Sequence, residues 1–211
     1  MDRNETIVSR QVDPRANQKD RTKRAIVDAA SQLVREGMIP TVATAAERAK
    51  VSRATAYRYF PSQEDLGEAL ARMHPAIAAV DEVVDHFDTD DVEARLLQVV
   101  DTYNPLVISD QIAMRTTLAS FQREWLRAHG QGTTPYTRSL TRTRWLDEAL
   151  RPLEGLSPKQ RKRLRAALAL SMGIESIVVM QDACQLGDRE TLSVLRWMAS
   201  AILRAAIDET A

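Results

Sequence analysis

The stretch VSRATAYRYF (51–60) sets two arginines, two tyrosines and a threonine on about two helical turns. An arginine guanidinium can fork onto the O6 and N7 acceptors of guanine, or onto phosphate; threonine and alanine can touch a thymine methyl. A tyrosine hydroxyl can bond phosphate oxygens from a stiff ring. At helical spacing Ala56 and Phe60, four apart, share an inner face. That leaves Arg53, Ala54, Thr55, Tyr57 and Arg58 outside. The competing reading is two tyrosines covering a small core beside solvated arginines.

Such a helix needs a brace, and the flanking sequence supplies one. Asp20 can cap a first helix, along which Ile26, Ala29, Ala30, Leu33 and Val34 follow helical spacing. Gly37 ends it in the left-handed conformation. A second, short helix starts at Pro40-Thr41, with Val42, Ala45, Ala46 and Ala49 as its inner stripe. It stops near Lys50. Ser52 caps a third helix that Pro61 ends. Ser62, with Asp65 three positions on, forms a capping box for a fourth. Two short helices behind a longer one make a helix-turn-helix, whose second short helix would lie in a DNA major groove. In that arrangement Arg53, Thr55 and Arg58 read or position, Ala54 lies beside them, and Tyr57, Tyr59 and Thr41 hold phosphates.

TVATAAERAKVSRATAYRYFPSQEDL (41–66) resembles the DNA-binding signature of the tetracycline-repressor (TetR) family. The likeness runs from about Asp20 to Glu68 through Thr41-Val42, Ala46-Glu47-Arg48-Ala49, Val51-Ser52, Tyr57 and Phe60-Pro61-Ser62. The resemblance implies a homodimeric, all-helical repressor whose C-terminal domain binds a small molecule and so loses DNA. There are departures. Lys50 stands where the family usually has Gly, and a side chain at positive φ costs on the order of 1 kcal/mol. Ala45 and Ala56 replace larger aliphatics, so either the small core is looser or Met38 and Ile39 fill it. Gln63 replaces a Lys that often meets phosphate.

Composition agrees with an all-α chain: 211 residues hold only 7 Gly and 8 Pro. The expected organisation is a flexible tail (1–19), a helix-turn-helix domain (20–68) and a ligand-binding and dimerisation domain (69–211). Net charge is zero but uneven. Residues 1–61 carry 12 Lys+Arg against 7 Asp+Glu, and the rest 17 against 22. A basic first third suits a polyanion partner. The single cysteine, Cys184, excludes an internal disulfide and fits a reducing cytosol. MDRNETIVSRQ has no apolar run like that of a signal peptide. AALALSMGIESIVVM (166–180) falls short of the roughly 18 apolar residues a membrane span needs. A cytoplasmic protein is expected. Cys184 has no nearby His to activate it and Gly-rich phosphate loops are absent, which argues against an enzyme.

Residues 69–211 carry no specific motif. A long fourth helix is expected from Ser62 toward Phe87, bent at His74-Pro75. The resemblance makes that helix the link between domains, so the bend is a candidate transmitter of ligand binding. DHFDTDDVE (85–93) reads as a helix-capping acidic loop. His74, His86 and His129 lack ligand spacing, so no metal or cofactor is expected. Helices over 92–151 should break at Asn104-Pro105, Gly130–Gly132 and Pro135, and they hold Tyr103, Met114, Phe121, Trp125, Tyr136 and Trp145. Met114, Leu118, Phe121 and Trp125 form one stripe, read as core. The resemblance implies that these helices surround an effector cavity, which makes Tyr103, Met114, Phe121, Trp125, Met172 and Glu175 candidate ligand contacts. Glu175 could pair with an Arg across a dimer, orient a ligand amine, or face solvent. Two last helices are expected, Ser157-Pro158 to Gln185 and Asp188 to Ile207, the latter with a broad apolar stripe from Leu192 to Ala206. They could form half of a four-helix dimer interface. SPKQRKRLR (157–165) reads as a solvated basic face that could also touch DNA or an acidic partner. The expected partners are operator DNA, a second copy and an unidentified small molecule. The alternative is a DNA-binding regulator or architectural protein without such an effector, controlled by a protein partner.

Overall fold

The structure, a computed structural model, describes residues 14–133 and 141–209. The proposed breaker Pro135, the aromatic Tyr136 and most of the proposed tail lie outside the described residues. Helix α1 (Pro14–Arg35) starts more than a turn before Asp20. Pro14 suits the first helical position because it has no N–H to leave unpaired. Gly37, at φ 76°, closes α1 as expected: its N–H donates to Val34 O and that of Met38 to Leu33 O.

Then come α2 (Val42–Arg48), α3 (Arg53–Tyr59) and α4 (Gln63–Arg72). Ile26, Val27, Ala30, Val42, Ala45, Ala46, Ala56, Phe60 and Leu66 close a small core among these four helices. Ala45 and Ala56 are fully buried, so the helices approach closely there. Met38 is 43% exposed and does not fill the space; Phe60 and Leu66 do. Glu36 and Arg48 pair in a fork (2.7 and 2.8 Å) that ties the end of α1 to the end of α2. The Arg48 hydrogen bond holds the Glu36 carboxyl below its ordinary value.

The expected long fourth helix is two helices. The chain breaks after Arg72, and α5 (Pro75–Asp85) begins anew with Pro75 at its first position. His74 is its cap: Ala76 N–H donates to the Nδ1 of His74 (3.2 Å). Pro75 starts a new helix instead of bending one, because its ring holds the preceding His74 in the extended region (ψ 130°).

The expected break at Asn104-Pro105 is absent. Helix α6 (Val92–Ser109), capped by Asp91, runs straight through Pro105. It sits at the centre of the second, larger core, with α5, α8 (Thr141–Ala149) and α11 (Asp188–Asp208) packed around it. Helix α7 (Gln111–Gly130) follows α6 and packs on both α1 and α6.

The expected helix over 158–185 is broken instead. Helix α9 (Pro158–Leu168) passes through a 3-10 turn (Ala169–Ser171), then the chain bends by 51° into α10 (Ile174–Val178), which continues as a π-helical turn (Val179–Ala183). Gly173 has φ 95°, and a Cβ there would lie 2.5 Å from Arg142 Nη1. The freed backbone groups are bonded from elsewhere. Asn104, fully buried, donates to Ser171 O (2.9 Å) and accepts from Gly173 N–H (3.0 Å). Arg142 donates to Met172 O (2.6 Å). Asn104 thus does at a distance what a helix would do locally.

The basic run 157–165 is largely spent inside the chain. Arg161 donates to Leu150 O and Leu153 O, Arg163 pairs with Glu209, and Arg165 pairs with Asp147 at 2.7 Å. No single helix among the described residues is long and apolar enough to cross a membrane.

Candidate DNA-binding surface and inter-domain cleft

Helix α3 is held from both ends. Ser52 Oγ accepts from Thr55 N–H (3.2 Å) and donates to Thr55 Oγ1 (2.8 Å). At the other end Phe60 N–H donates to Ala56 O, and the Phe60 ring is buried. With Ala56 and Phe60 inward, Arg53, Ala54, Tyr57 and Arg58 are exposed, Tyr57 at 47%. Thr55 and Tyr59 are half-buried. Tyr59 leans on the small core, and its ring carries the Arg58 guanidinium 5.4 Å from its centroid. The ring holds the Arg58 charge in place by a cation–π contact.

Thr41 caps α2. Its hydroxyl accepts from Thr44 N–H (3.0 Å), and Thr44 Oγ1 accepts from Thr41 N–H (2.8 Å). Gln63, the departure from the family pattern, has a role of its own. Its Oε1 accepts from Val42 N–H (3.0 Å) and its Nε2 donates to Pro40 O, so the start of α4 is tied to the start of α2. No spacing in the sequence signals that bridge, because its two ends are 21 residues apart.

The turn between α2 and α3 has Lys50 at φ 55°. Lys50 N–H donates to Glu47 O and Val51 N–H to Ala46 O, the pattern that normally places glycine at this position. Lys50→Gly is expected to relieve about 1–2 kcal/mol of left-handed strain, less about 0.4–1 kcal/mol for the freer unfolded chain. A rise in urea midpoint with unchanged slope checks this; a fall would show that the Lys50 side chain itself stabilises the turn.

Between the small core of α1–α4 and the larger core lies a cleft of about 280 Å³. Asp28, Val34 and Arg35 of α1 form one wall; Tyr103, Met114, Phe121 and Trp145 form the other. Three of the six ligand-contact candidates, Tyr103, Met114 and Phe121, therefore meet there. The other three do not. Trp125 is half-exposed and stacks on His129 (4.0 Å between ring centroids), on the outer face of α7, while Ala128 on the same last turns is buried. Met172 is fully buried in the larger core. Glu175 pairs with Arg142 in a fork (3.1 Å to each oxygen), an arginine of the same chain. Arg142, which lines the cleft, was invisible to sequence reasoning, since the helix break that recruits it was not foreseen. A second cavity of about 310 Å³ adjoins the cleft, sharing Val34, Leu70, Thr117 and Phe121.

His74 also faces the cleft. Burial lowers its pKa below the ordinary 6.5, against an opposite pull from Asp110. Above about pH 6.5 neither the folded nor the unfolded chain is protonated there. As pH falls below that value the unfolded chain takes up a proton that the folded chain resists, so stability is lost. The expected result is a lower urea midpoint at pH 5.5 than at 7.5, with the drop reduced in His74→Asn, since Asn also caps helices. An equal drop in both proteins would show that other groups set it.

Residues 26–70 match the family model described as bacterial regulatory proteins, tetR family. The crystal structure of a TetR transcriptional regulator from Rhodococcus sp. RHA1 is similar over 88% of this chain and 97% of that one, with 16% identity and a TM-score of 0.53. That of the TetR-like transcriptional regulator LfrR from Mycobacterium smegmatis in complex with proflavine covers 87% of this chain and 96% of its own, with 22% identity and a TM-score of 0.45. No curated protein matches the chain. The helix-turn-helix lies within the matched residues, and the likeness of the whole chain to the Rhodococcus structure is one of fold. Over residues 26–70 the chain is similar to the tetR family of bacterial regulatory proteins.

Proposed function

We propose that the chain is a ligand-responsive transcriptional repressor of the cytoplasm. Two copies place their α3 helices in successive major grooves of a near-palindromic operator, and a small molecule in the inter-domain cleft releases them. Arg53 and Thr55 read bases, Ala54 lies against them, and Arg58, Tyr57, Tyr59 and Thr41 fix the phosphates. The observation that carries the reading is the composition of the cleft. Helices α1 and α4, which brace α2 and α3, line it together with the C-terminal body, so a molecule that fills it contacts both and releases DNA if it favours one of their arrangements. Dimerisation is supported by Leu170, Val179 and Trp197, which are 66%, 51% and 69% exposed on adjoining elements of the last helices. Exposed large apolar groups gathered in this way mark an interface.

The test begins with selection of bound sequences from a random DNA library. A palindromic site, a light-scattering mass near twice 23.6 kDa, and release of the selected site by a small molecule are expected. No enriched sequence, or a monomer mass, would overturn the reading. The half-exposed Trp125 and the 64% exposed Leu126 on α7 favour one alternative, control by a protein partner; release of DNA by a small molecule alone excludes it.

A further inference from the structure

We infer that the second cavity, between α7 and the helices α1 and α4, is a binding site of its own for an apolar molecule that carries one carboxylate, which Ser120 and Arg123 hold. The inference does not rest on the reading of the cleft as the effector site.

The cavity, about 310 Å³, has the size of a small-molecule site. Val34, Ile39, Pro40, Leu70 and Phe121 give it apolar walls. Gly67 stands in the same wall, in the middle of α4, and a Cβ built on it would meet nothing within 4 Å. A glycine inside a helix is destabilising relative to alanine. Gly67 has no positive φ and no close neighbour that would exclude a side chain, so nothing in the described chain calls for glycine there. What the missing side chain does is keep the cavity open.

The polar side of the cavity lies on α7. Thr116 and Thr117 turn their hydroxyls back onto the carbonyls of Ile112 and Ala113 (2.7 and 2.8 Å), so both are already bonded. Ser120 makes no hydrogen bond through its hydroxyl among the described residues. Arg123, three positions on and therefore on the same helix face, has no ion pair among the described residues. Arg127, one turn further, is forked onto Glu124 (2.8 Å from its Nε), so those two charges cancel. The wall thus keeps one uncancelled positive charge beside one free hydroxyl.

That pair selects among ligand groups. A carboxylate accepts from the Arg123 guanidinium and from the Ser120 hydroxyl together, a charge-assisted pairing. An alcohol offers only an uncharged oxygen, and an ammonium meets a like charge. A molecule seated here also touches Pro40 and Gln63, whose hydrogen bond ties α4 to the start of α2.

The experiment titrates the full-length protein at pH 7.5 with 4-phenylbutyrate, 4-phenylbutan-1-ol and 4-phenylbutylamine by calorimetry. Wild type is expected to bind the acid about fivefold more tightly than the alcohol, the gain of one partly exposed charge pair, and the amine least. Arg123→Gln keeps a polar stem without the charge, and the preference for the acid should fall below about twofold. Gly67→Leu fills the cavity with a better helix former and should abolish the tight binding of the acid. A urea midpoint no lower than that of wild type certifies its fold. Should that variant be destabilised, the substitution at the exposed Arg123 still decides. No binding of the acid by wild type, or equal binding of acid and alcohol, would overturn the inference. So would a preference for the acid that survives Arg123→Gln, since the acid would then sit elsewhere.

Discussion

Tyr57→Ala is expected to weaken binding to a selected operator and to random DNA by the same factor, about five- to tenfold for one lost phosphate contact of roughly 1 kcal/mol. Arg53→Ala is expected to act differently: about 1–3 kcal/mol lost on the operator with little change on random DNA, and relaxed preference at one base position. The contrast follows from where α3 is held. Ala56 and Phe60 anchor its inner face, Ser52 fixes its first turn, and Arg53 stands exposed at its start, where a groove-bound helix meets base edges. Tyr57 is the exposed aromatic one turn on, and on the proposed reading its hydroxyl holds a phosphate. Arg58, steadied on the Tyr59 ring, is assigned on the same proposal to the phosphate contacts; Arg58→Ala should then lower the slope of log affinity against log salt by about one. Fluorescence anisotropy with both DNAs over a salt series reads all three. Equal losses on both DNAs for Arg53 and Tyr57 would remove the distinction between reading and holding.

Asn104→Ala is expected to be the most damaging single change in the C-terminal body. It leaves Ser171 O and Gly173 N–H unpaired inside the core, at about 1–3 kcal/mol each, and opens a small cavity besides. A total of about 3–5 kcal/mol is a large share of the 5–15 kcal/mol that holds a typical domain together. Asn104→Leu separates the two causes: it fills the space but satisfies neither group, so its loss should approach that of the alanine variant. Urea unfolding measures both. A loss below about 1 kcal/mol in Asn104→Ala would mean that water entering the vacated space, rather than Asn104, can serve the bend. Pro105 makes the position harder to replace, because α6 already lacks one hydrogen bond there.

The helix-turn-helix was legible in the sequence because everything that makes it is local. Caps at Thr41, Ser52 and Ser62, a positive-φ turn at Gly37, and an inner face at Ala56 and Phe60 lie within a few residues of the groups they serve. Short-range hydrogen bonds and helical periodicity decide such features whatever the rest of the chain does. Even Lys50, out of place by sequence pattern, adopts the conformation the turn demands.

The C-terminal body was legible only as helices, and their breaks were misjudged in both directions. Pro105 reads as a breaker, yet α6 continues through it, because burial between α5, α8 and α11 outweighs one missing hydrogen bond. The run after Pro158 reads as one apolar helix, yet it bends at Gly173, because Asn104 and Arg142 supply partners from 69 and 30 residues away. The cleft has the same origin. Tyr103, Met114 and Phe121 announce an apolar stripe, but their meeting with α1 and with the His74–Asp110 corner depends on which faces pack. By itself, then, the sequence determined an all-helical chain with a helix-turn-helix head, since propensity, capping and period act over neighbours. Only the tertiary structure decided where helices stop, which carboxylates find arginines and what lines the cleft, since those bonds close between residues far apart in the chain.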